Sequence, residues 1–290
     1  MKTTLGLAVA LLALSPPARA GSQGDASGTA TSSDGVPIRY HAAGKGDPAL
    51  VFVHCGGCEL GFWDGPMAHF AVKHRVVALD LAGHGQSGVG RKDWTMPAFG
   101  QDVVSVVEAL DLKRVVLIGH SLGGPAVLEA ARRMPGRVAG VVLVDSWVDF
   151  EQRIPAEQIE KMLSALQADY RATTTAMVSK LLFSASTPEP VKARVLETVL
   201  SGPQEMGLAV ARSSMAYDPL PALREIKAPI RAINSDLFPT NVEGNRKYAP
   251  GYQVAFMKGV GHYLMLEQPE AFNALLGEAL SELARSSGRR

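Results

Sequence analysis

The sequence predicts an α/β protein with a mostly parallel sheet, and two observations lead to this prediction. First, short apolar segments alternate along the chain with stretches of helical periodicity, which is typical of strand–helix–strand units. Second, most of the apolar segments are continuous Val, Ile and Leu runs rather than strict alternations, which indicates a sheet buried on both faces. The predicted strands are 37–42, 49–54, 75–80, 114–118, 138–144, 229–233 and 252–256.

Helices are predicted between these strands and after the last one. The segment 96–110 has the clearest start, because Thr95 can cap its N-terminus and Pro97 suits the first turn. The predicted helices are 64–73, 96–110, 122–134, 242–248 and 269–284.

One long segment, residues 147–227, interrupts this alternation. It lacks a strong strand signal but contains helical patterns at 157–170, 174–183 and 191–200. About 80 residues are too many for a bare loop in a compact domain. We therefore expect a helical cap over 147–227, inserted into a core made of 21–146 and 228–290.

The N-terminal residues 1–20 resemble an export signal. Lys2 precedes an apolar run over 5–14, and Ala18-Arg19-Ala20 provides a small-x-small cleavage site. The run is too short for an ordinary transmembrane helix. We expect a periplasmic or secreted protein without stable membrane association after cleavage, with an uncleaved anchor as the alternative.

The net charge indicates which classes of partner the protein is not expected to bind. The formal net charge is +1, without a polybasic stripe, so nucleic-acid binding is not expected. The oligomeric state is not determined by the sequence.

The most informative motif is Gly119-His120-Ser121-Leu122-Gly123. It follows the apolar run 115–118 and leads into a helical pattern, so the order is buried strand, tight turn with a serine at its apex, and helix. That context is the one a G-x-S-x-G nucleophile elbow requires. The serine would then lie near free backbone N–H groups at the helix N-terminus.

Three further motifs accompany the elbow: His54-Cys55-Gly56-Gly57, Asp80-Leu81-Ala82-Gly83-His84-Gly85-Gln86-Ser87, and Gly259-Val260-Gly261-His262 followed by Glu267-Gln268-Pro269. Together, and in this order, the four motifs resemble those of the α/β-hydrolase superfamily, and the resemblance covers nearly all of the mature sequence. It implies an α/β-hydrolase fold with the cap inserted before the penultimate strand.

The resemblance also implies a catalytic triad. A serine hydroxyl is a poor nucleophile unless a base and an orienting acid assist it. Ser121 is the expected nucleophile and His262 the expected base. We expect Asp236 to be the acid, because it follows the strand after which the family usually places it. Asp145, after the strand 138–144, is the main alternative, and Asp218 is a more distant one.

The backbone N–H groups of Leu122 and Gly56 are the expected oxyanion donors. Cys55 stands where the family prefers glycine, and Cys55 and Cys58 are the only cysteines. Export would permit a disulfide between them. Two buried free thiols and a functional thiol remain open, whereas zinc binding lacks a second pair of ligands.

The expected function is a serine hydrolase that cleaves a small carboxylic ester or related acyl substrate through an acyl-enzyme, without a cofactor or metal. Amide, thioester, lactone and carbon–carbon bond hydrolysis and haloperoxidase-like perhydrolysis remain open. A non-catalytic ligand-binding protein or a cofactor-independent oxygenase on the same scaffold are the alternatives.

Overall fold

The computed structural model describes residues 25–287, and the proposed export signal, residues 1–20, lies outside the described residues. Eight strands form a single sheet in the order β1-β2-β4-β3-β5-β6-β7-β8. The strands are β1 (Ala26–Thr31), β2 (Pro37–Ala43), β3 (Ala49–Val53), β4 (Val76–Leu79), β5 (Val115–His120), β6 (Val138–Val144), β7 (Ile230–Ser235) and β8 (Gln253–Met257).

The sheet is mostly parallel. Only the pairs β1–β2 and β2–β4 are antiparallel, at one edge, and every other neighbouring pair is parallel. All residues of β3, β4 and β5 are buried, as their continuous apolar runs predict. The predicted α/β class is therefore confirmed.

Helices cover both faces of the sheet. On β3, Val51 and Val53 face one apolar cluster, whereas Leu50 and Phe52 face the other, as the two-residue period of a strand requires. The helices are α1 (Asp64–Phe70), α2 (Met96–Ala109), α3 (Gly123–Arg133), α4 (Ala156–Ala168), α5 (Tyr170–Met177), α6 (Glu189–Val199), α7 (Gln204–Ala216), α8 (Leu220–Glu225), α9 (Val242–Tyr248), α10 (Leu264–Glu267) and α11 (Pro269–Ser287).

Helices α4 to α8 lie between β6 and β7, together with a π-helical turn over Val178–Leu182. The sequence patterns predict helices near α4, α5 and α6 but not α7 and α8. Helix α7 buries only Met206 and Val210, and a glycine at position 207 weakens its helical pattern. Its place is therefore determined by packing against α4 rather than by its own periodicity.

A buried ion pair joins the antiparallel edge of the sheet to α2. Asp102 on α2 is fully buried and accepts hydrogen bonds from the Arg91 guanidinium (2.5 and 3.0 Å), the Ser32 hydroxyl (2.7 Å) and the Ala82 N–H (3.1 Å). Asp34 pairs with the other side of the Arg91 guanidinium at 2.7 Å. The loop after β4 is thereby held against β1 and α2.

Within residues 25–287, no helix combines the length and the apolar character that crossing a membrane would need.

Candidate active site

Ser121 lies at a strained corner between β5 and α3. Its backbone has φ of 52°, in the left-handed region that side-chain-bearing residues rarely adopt. The flanking glycines permit this corner: a Cβ on Gly119 would lie 2.3 Å from the Gly123 carbonyl oxygen, and one on Gly123 would lie 2.4 Å from the Val53 carbonyl oxygen. The backbone is packed too closely for any side chain at either position, which explains the spacing of the motif.

The two predicted oxyanion donors are neighbours in space. A Cβ built on Gly56 would lie 3.6 Å from the Leu122 Cβ, and both residues line the same cavity as Ser121. In the part of the chain that the structure describes, neither N–H donates a backbone hydrogen bond to another residue. The loop that carries Gly56 and the start of α3 thus meet beside Ser121.

A disulfide closes the loop that carries Gly56. Cys55 and Cys58 are bonded, with their Cα atoms 5.2 Å apart, and both are buried. The Cys58 N–H also donates to the Cys55 carbonyl at 3.2 Å. Of the alternatives that the sequence leaves open, the structure contains the disulfide, and this bond constrains the backbone on both sides of Gly56.

The His262 imidazole is held by Asp145. Its Nδ1 donates to Asp145 Oδ2 at 2.6 Å, and the two side chains are only 8% and 3% exposed. Asp145 Oδ1 in turn accepts from the N–H (2.8 Å) and the hydroxyl (3.0 Å) of Ser235 at the end of β7. Asp145 has a φ of 42°, so a second strained residue lies at this edge of the sheet.

The structure does not bring Asp236, the expected acid, to His262. Its Oδ1 accepts from the N–H of Gly259 at 2.9 Å, and its side chain is exposed and does not contact His262. Strand β7 continues to Ser235, so Asp236 lies beyond the sheet edge. Val144, the last residue of β6, pairs with Ile233 of β7. Asp145 therefore follows β6 directly at the sheet edge, where it contacts His262. Asp218, the third candidate, is paired with Arg153.

Ser121 and His262 are brought to the same edge through His120. The His120 ring lies 4.6 Å from the His262 ring, and its Nε2–H donates to the His262 carbonyl at 2.9 Å. Because Asp145 occupies Nδ1, Nε2 of His262 is the nitrogen left to accept a proton. Among the described residues, Ser121 Oγ and His262 do not form a hydrogen bond, a contact that in such sites often tightens only when substrate binds.

Three other buried histidines lie nearby, and all are held neutral. Burial lowers the pKa of His54 to about 4, that of His84 to about 3, and that of His120 well below its ordinary value of 6.5. Both nitrogens of His54 are also occupied, since Nδ1–H donates to the Cys55 carbonyl at 2.7 Å and Nε2 accepts from the Leu81 N–H at 3.1 Å. His54 therefore braces the loops rather than exchanging protons.

Two cavities border this site. One, of about 540 Å³, is lined by Ser121, Gly56 and Leu122. The other, of about 260 Å³, is lined by His262 and Asp145. Ser214 on α7 borders both.

The walls of the cavities come largely from residues that the motifs did not indicate. The smaller cavity is bordered by Trp147, Ile154, Met215 and Phe238. Trp147 has φ of 54°, an unusual conformation for so large a residue. The larger cavity is walled chiefly by aliphatic side chains of the inserted helices, among them Leu166, Met177, Val178, Leu181, Met206 and Val210.

Solved structures share this fold. An esterase from Thermogutta terrifontis is 24% identical with a TM-score of 0.75, and the match covers 89% of this chain and 98% of that one. An enol-lactonase from Burkholderia xenovorans is 22% identical with a TM-score of 0.76, covering 88% of this chain and 100% of that one. At these identities the likeness shows the fold alone.

Curated relatives match over shorter segments. A protein of Mycobacterium tuberculosis is 36% identical over 107 residues, which are 37% of this chain and 31% of the relative. A non-heme chloroperoxidase of Streptomyces lividans is 42% identical over 122 residues, 41% of this chain and 44% of the relative. The matched segment thus spans less than half the length of either relative. The model of the alpha/beta hydrolase family matches residues 50–275, well over half of the chain, and the chain belongs to that family.

Proposed function

We propose that the protein is a serine hydrolase that cleaves an uncharged carboxylic ester through an acyl-enzyme, with Ser121 as nucleophile, His262 as base and Asp145 as acid. The observation that carries this proposal is the 2.6 Å contact between Asp145 and a buried histidine, at the sheet edge where Ser121 occupies its strained corner. Esterases and lactonases among the solved structures of the same fold are consistent with this reaction.

The reaction follows from these positions. Ser121 Oγ attacks the ester carbonyl carbon while its proton passes to His262 Nε2, and Asp145 stabilises the resulting imidazolium. The carbonyl oxygen becomes an oxyanion that the N–H groups of Leu122 and Gly56 receive. The carbon–oxygen bond to the alcohol then breaks, and His262 gives its proton to the departing oxygen. Water, deprotonated by His262, then attacks the acyl carbon. The bond from that carbon to Ser121 Oγ breaks, His262 returns the proton to Oγ, and the carboxylic acid is released.

The larger cavity favours an uncharged apolar acyl group. Glu59 is the one charged side chain among the described residues that line it, and Arg194 lies 4.0 Å from that carboxylate. No cationic side chain among those lining residues could pair with a carboxylate or phosphate on the substrate. Much of the remaining wall is aliphatic or small, which suits hydrocarbon, although Gln86, Tyr170 and Tyr263 also line it.

We assign the alcohol and the acyl group of the ester to different cavities. The leaving oxygen must lie against His262, which protonates it, so the alcohol occupies the smaller cavity beside Trp147. The acyl carbon is bonded to Ser121 in the intermediate, so the acyl chain occupies the larger cavity with Met206 in its wall.

The proposal is tested with a fluorophosphonate that labels activated serines. The wild-type protein is expected to gain one adduct by intact mass and Ser121→Ala none, with ester hydrolysis falling by at least about 10⁴-fold in the variant. Covalent labelling that persists in Ser121→Ala would reject the assignment. An unlabelled wild-type protein that returns apolar ligands unchanged would identify a binding protein instead.

The assignment of the alcohol and acyl groups to the two cavities is tested with one variant in each cavity, each measured against esters that differ in the alcohol and esters that differ in the acyl chain. Trp147→Leu is expected to shift the ratio of kcat/KM between phenyl and ethyl esters of one acid by about tenfold, and to leave the preference for acyl length unchanged. Met206→Ala is expected to shift the preference for acyl length and to leave the ratio between phenyl and ethyl esters unchanged. Ratios within one variant are independent of the amount of folded protein, so each variant is the control for the other. Equal shifts in both series would contradict the assignment.

A further inference from the structure

The cap contacts the loop that carries the histidine through a short segment that we term the strap, residues 182–187. The histidine loop is residues 259–263. The His262 N–H donates to the Leu182 carbonyl at 2.7 Å. The Thr187 hydroxyl donates to Glu267 Oε2 at 2.8 Å, and the Ser186 hydroxyl donates to the Gly259 carbonyl. Three hydrogen bonds thus join the strap to the histidine loop and to the helix that follows it.

Glu267 is the centre of this arrangement. Its Oε2 also accepts from the Gly261 N–H at 2.8 Å, and its Oε1 accepts from the Tyr263 N–H at 3.2 Å. One carboxylate therefore holds the N–H groups on both sides of His262, and the Thr187 hydroxyl is its third donor. Hydrogen bonds that a carboxylate accepts are stronger than those between neutral groups, and the three bonds to Glu267 are partly shielded from water.

The strap and Glu267 pack closely around Gly261. A Cβ at this position would lie 2.6 Å from Glu267 Oε1, 2.8 Å from the Leu182 carbonyl oxygen and 2.8 Å from Thr187 Oγ1. The strap, the carboxylate and the histidine loop thus converge on one point with no room for a methyl group. A displacement of the strap would be transmitted directly to the backbone of His262.

We propose that Thr187 is a positioning residue that sets the imidazole of His262 through Glu267, so that the cap takes part in aligning the base. Thr187 is 3% exposed and lines neither of the two cavities at the site, so an effect of its hydroxyl on catalysis would be indirect. The inference rests on the proposed function, because it assigns His262 as the base. Misalignment of a catalytic group by about 1 Å can cost about 100-fold in rate.

The test compares Thr187→Val, which keeps the shape but removes the hydroxyl, with Thr187→Ser, which keeps the hydroxyl. Thr187→Val is expected to lower kcat at least about tenfold with KM within about twofold, and Thr187→Ser to retain most of the wild-type kcat. Thr173→Val is the matched control, since among residues 25–287 the Thr173 hydroxyl donates to the Ala165 carbonyl, within the cap. It is expected to behave as wild type.

Hydrogen exchange of the peptide 259–267 gives a readout independent of catalysis. Exchange is expected to be faster in Thr187→Val but not in Thr187→Ser or Thr173→Val. Unchanged exchange and kcat in Thr187→Val would overturn the inference while leaving the hydrolase proposal intact. An unlabelled, inactive wild type would refute the hydrolase, and the exchange data would still decide whether the strap holds the loop. Should Thr187→Val not fold, Glu267→Gln is measured in the same way.

Discussion

Asp145→Asn is expected to lower kcat for ester hydrolysis by about 10⁴-fold, whereas Asp236→Asn leaves it within about twofold. The carboxylate of Asp145 accepts a hydrogen bond from Nδ1–H of His262 at 2.6 Å. This leaves Nε2 as the basic nitrogen. An asparagine amide turned toward that nitrogen would donate instead of accept, and would favour the wrong tautomer of the ring. Asp236 bonds to Gly259 N–H and has no such role.

Asp145→Asn changes the carboxylate group without disturbing the backbone at this position. Asn tolerates the left-handed backbone region as well as Asp does, so the φ of 42° at position 145 adds no strain to the variant. The measurement is kcat and KM for one uncharged ester in both variants, with circular dichroism spectra to show equal folding. Equal, mild losses in the two variants would mean that neither carboxylate orients the base and that the triad is misassigned.

Asp102→Ala is expected to lower the free energy of unfolding by about 3–5 kcal/mol. The change removes the buried partner of Arg91, whose side chain is 1% exposed, and leaves the Ser32 hydroxyl and the Ala82 N–H without their acceptor. Asp34 remains beside Arg91 but is 38% exposed, so it compensates the buried charge only in part. An unpaired charge in the interior costs more than the pair itself contributes.

Urea denaturation at neutral pH measures this loss. Glu160→Ala serves as the control, because the Glu160–Arg212 pair is exposed on both sides and should contribute less than about 1 kcal/mol. An equal slope with urea in wild type and Asp102→Ala would show that both unfold from comparably compact states. A loss as small as that of the control would show that Arg91 finds solvent or another partner when Asp102 is absent.

Local patterns were sufficient for most of the fold. Strand β6 and helix α9 begin and end where the sequence predicts, because each combines an unambiguous local pattern with clear boundaries. Helices α7 and α8 were not predicted, since few of their residues are buried and their places depend on other elements. Strand β1 lies outside the predicted strands, because its small polar residues carry a weak signal and its pairing with β2 completes it.

The sequence by itself determined the α/β architecture and the nucleophile elbow, because both depend on residues adjacent in the chain: apolar runs, and glycines on either side of Ser121. Only the tertiary structure shows that His262 contacts Asp145 rather than Asp236, because this contact depends on how β6 and β7 are registered and where the His262 loop crosses them. The same is true of the contact between Thr187 and Glu267, 80 residues apart, which no local pattern encodes.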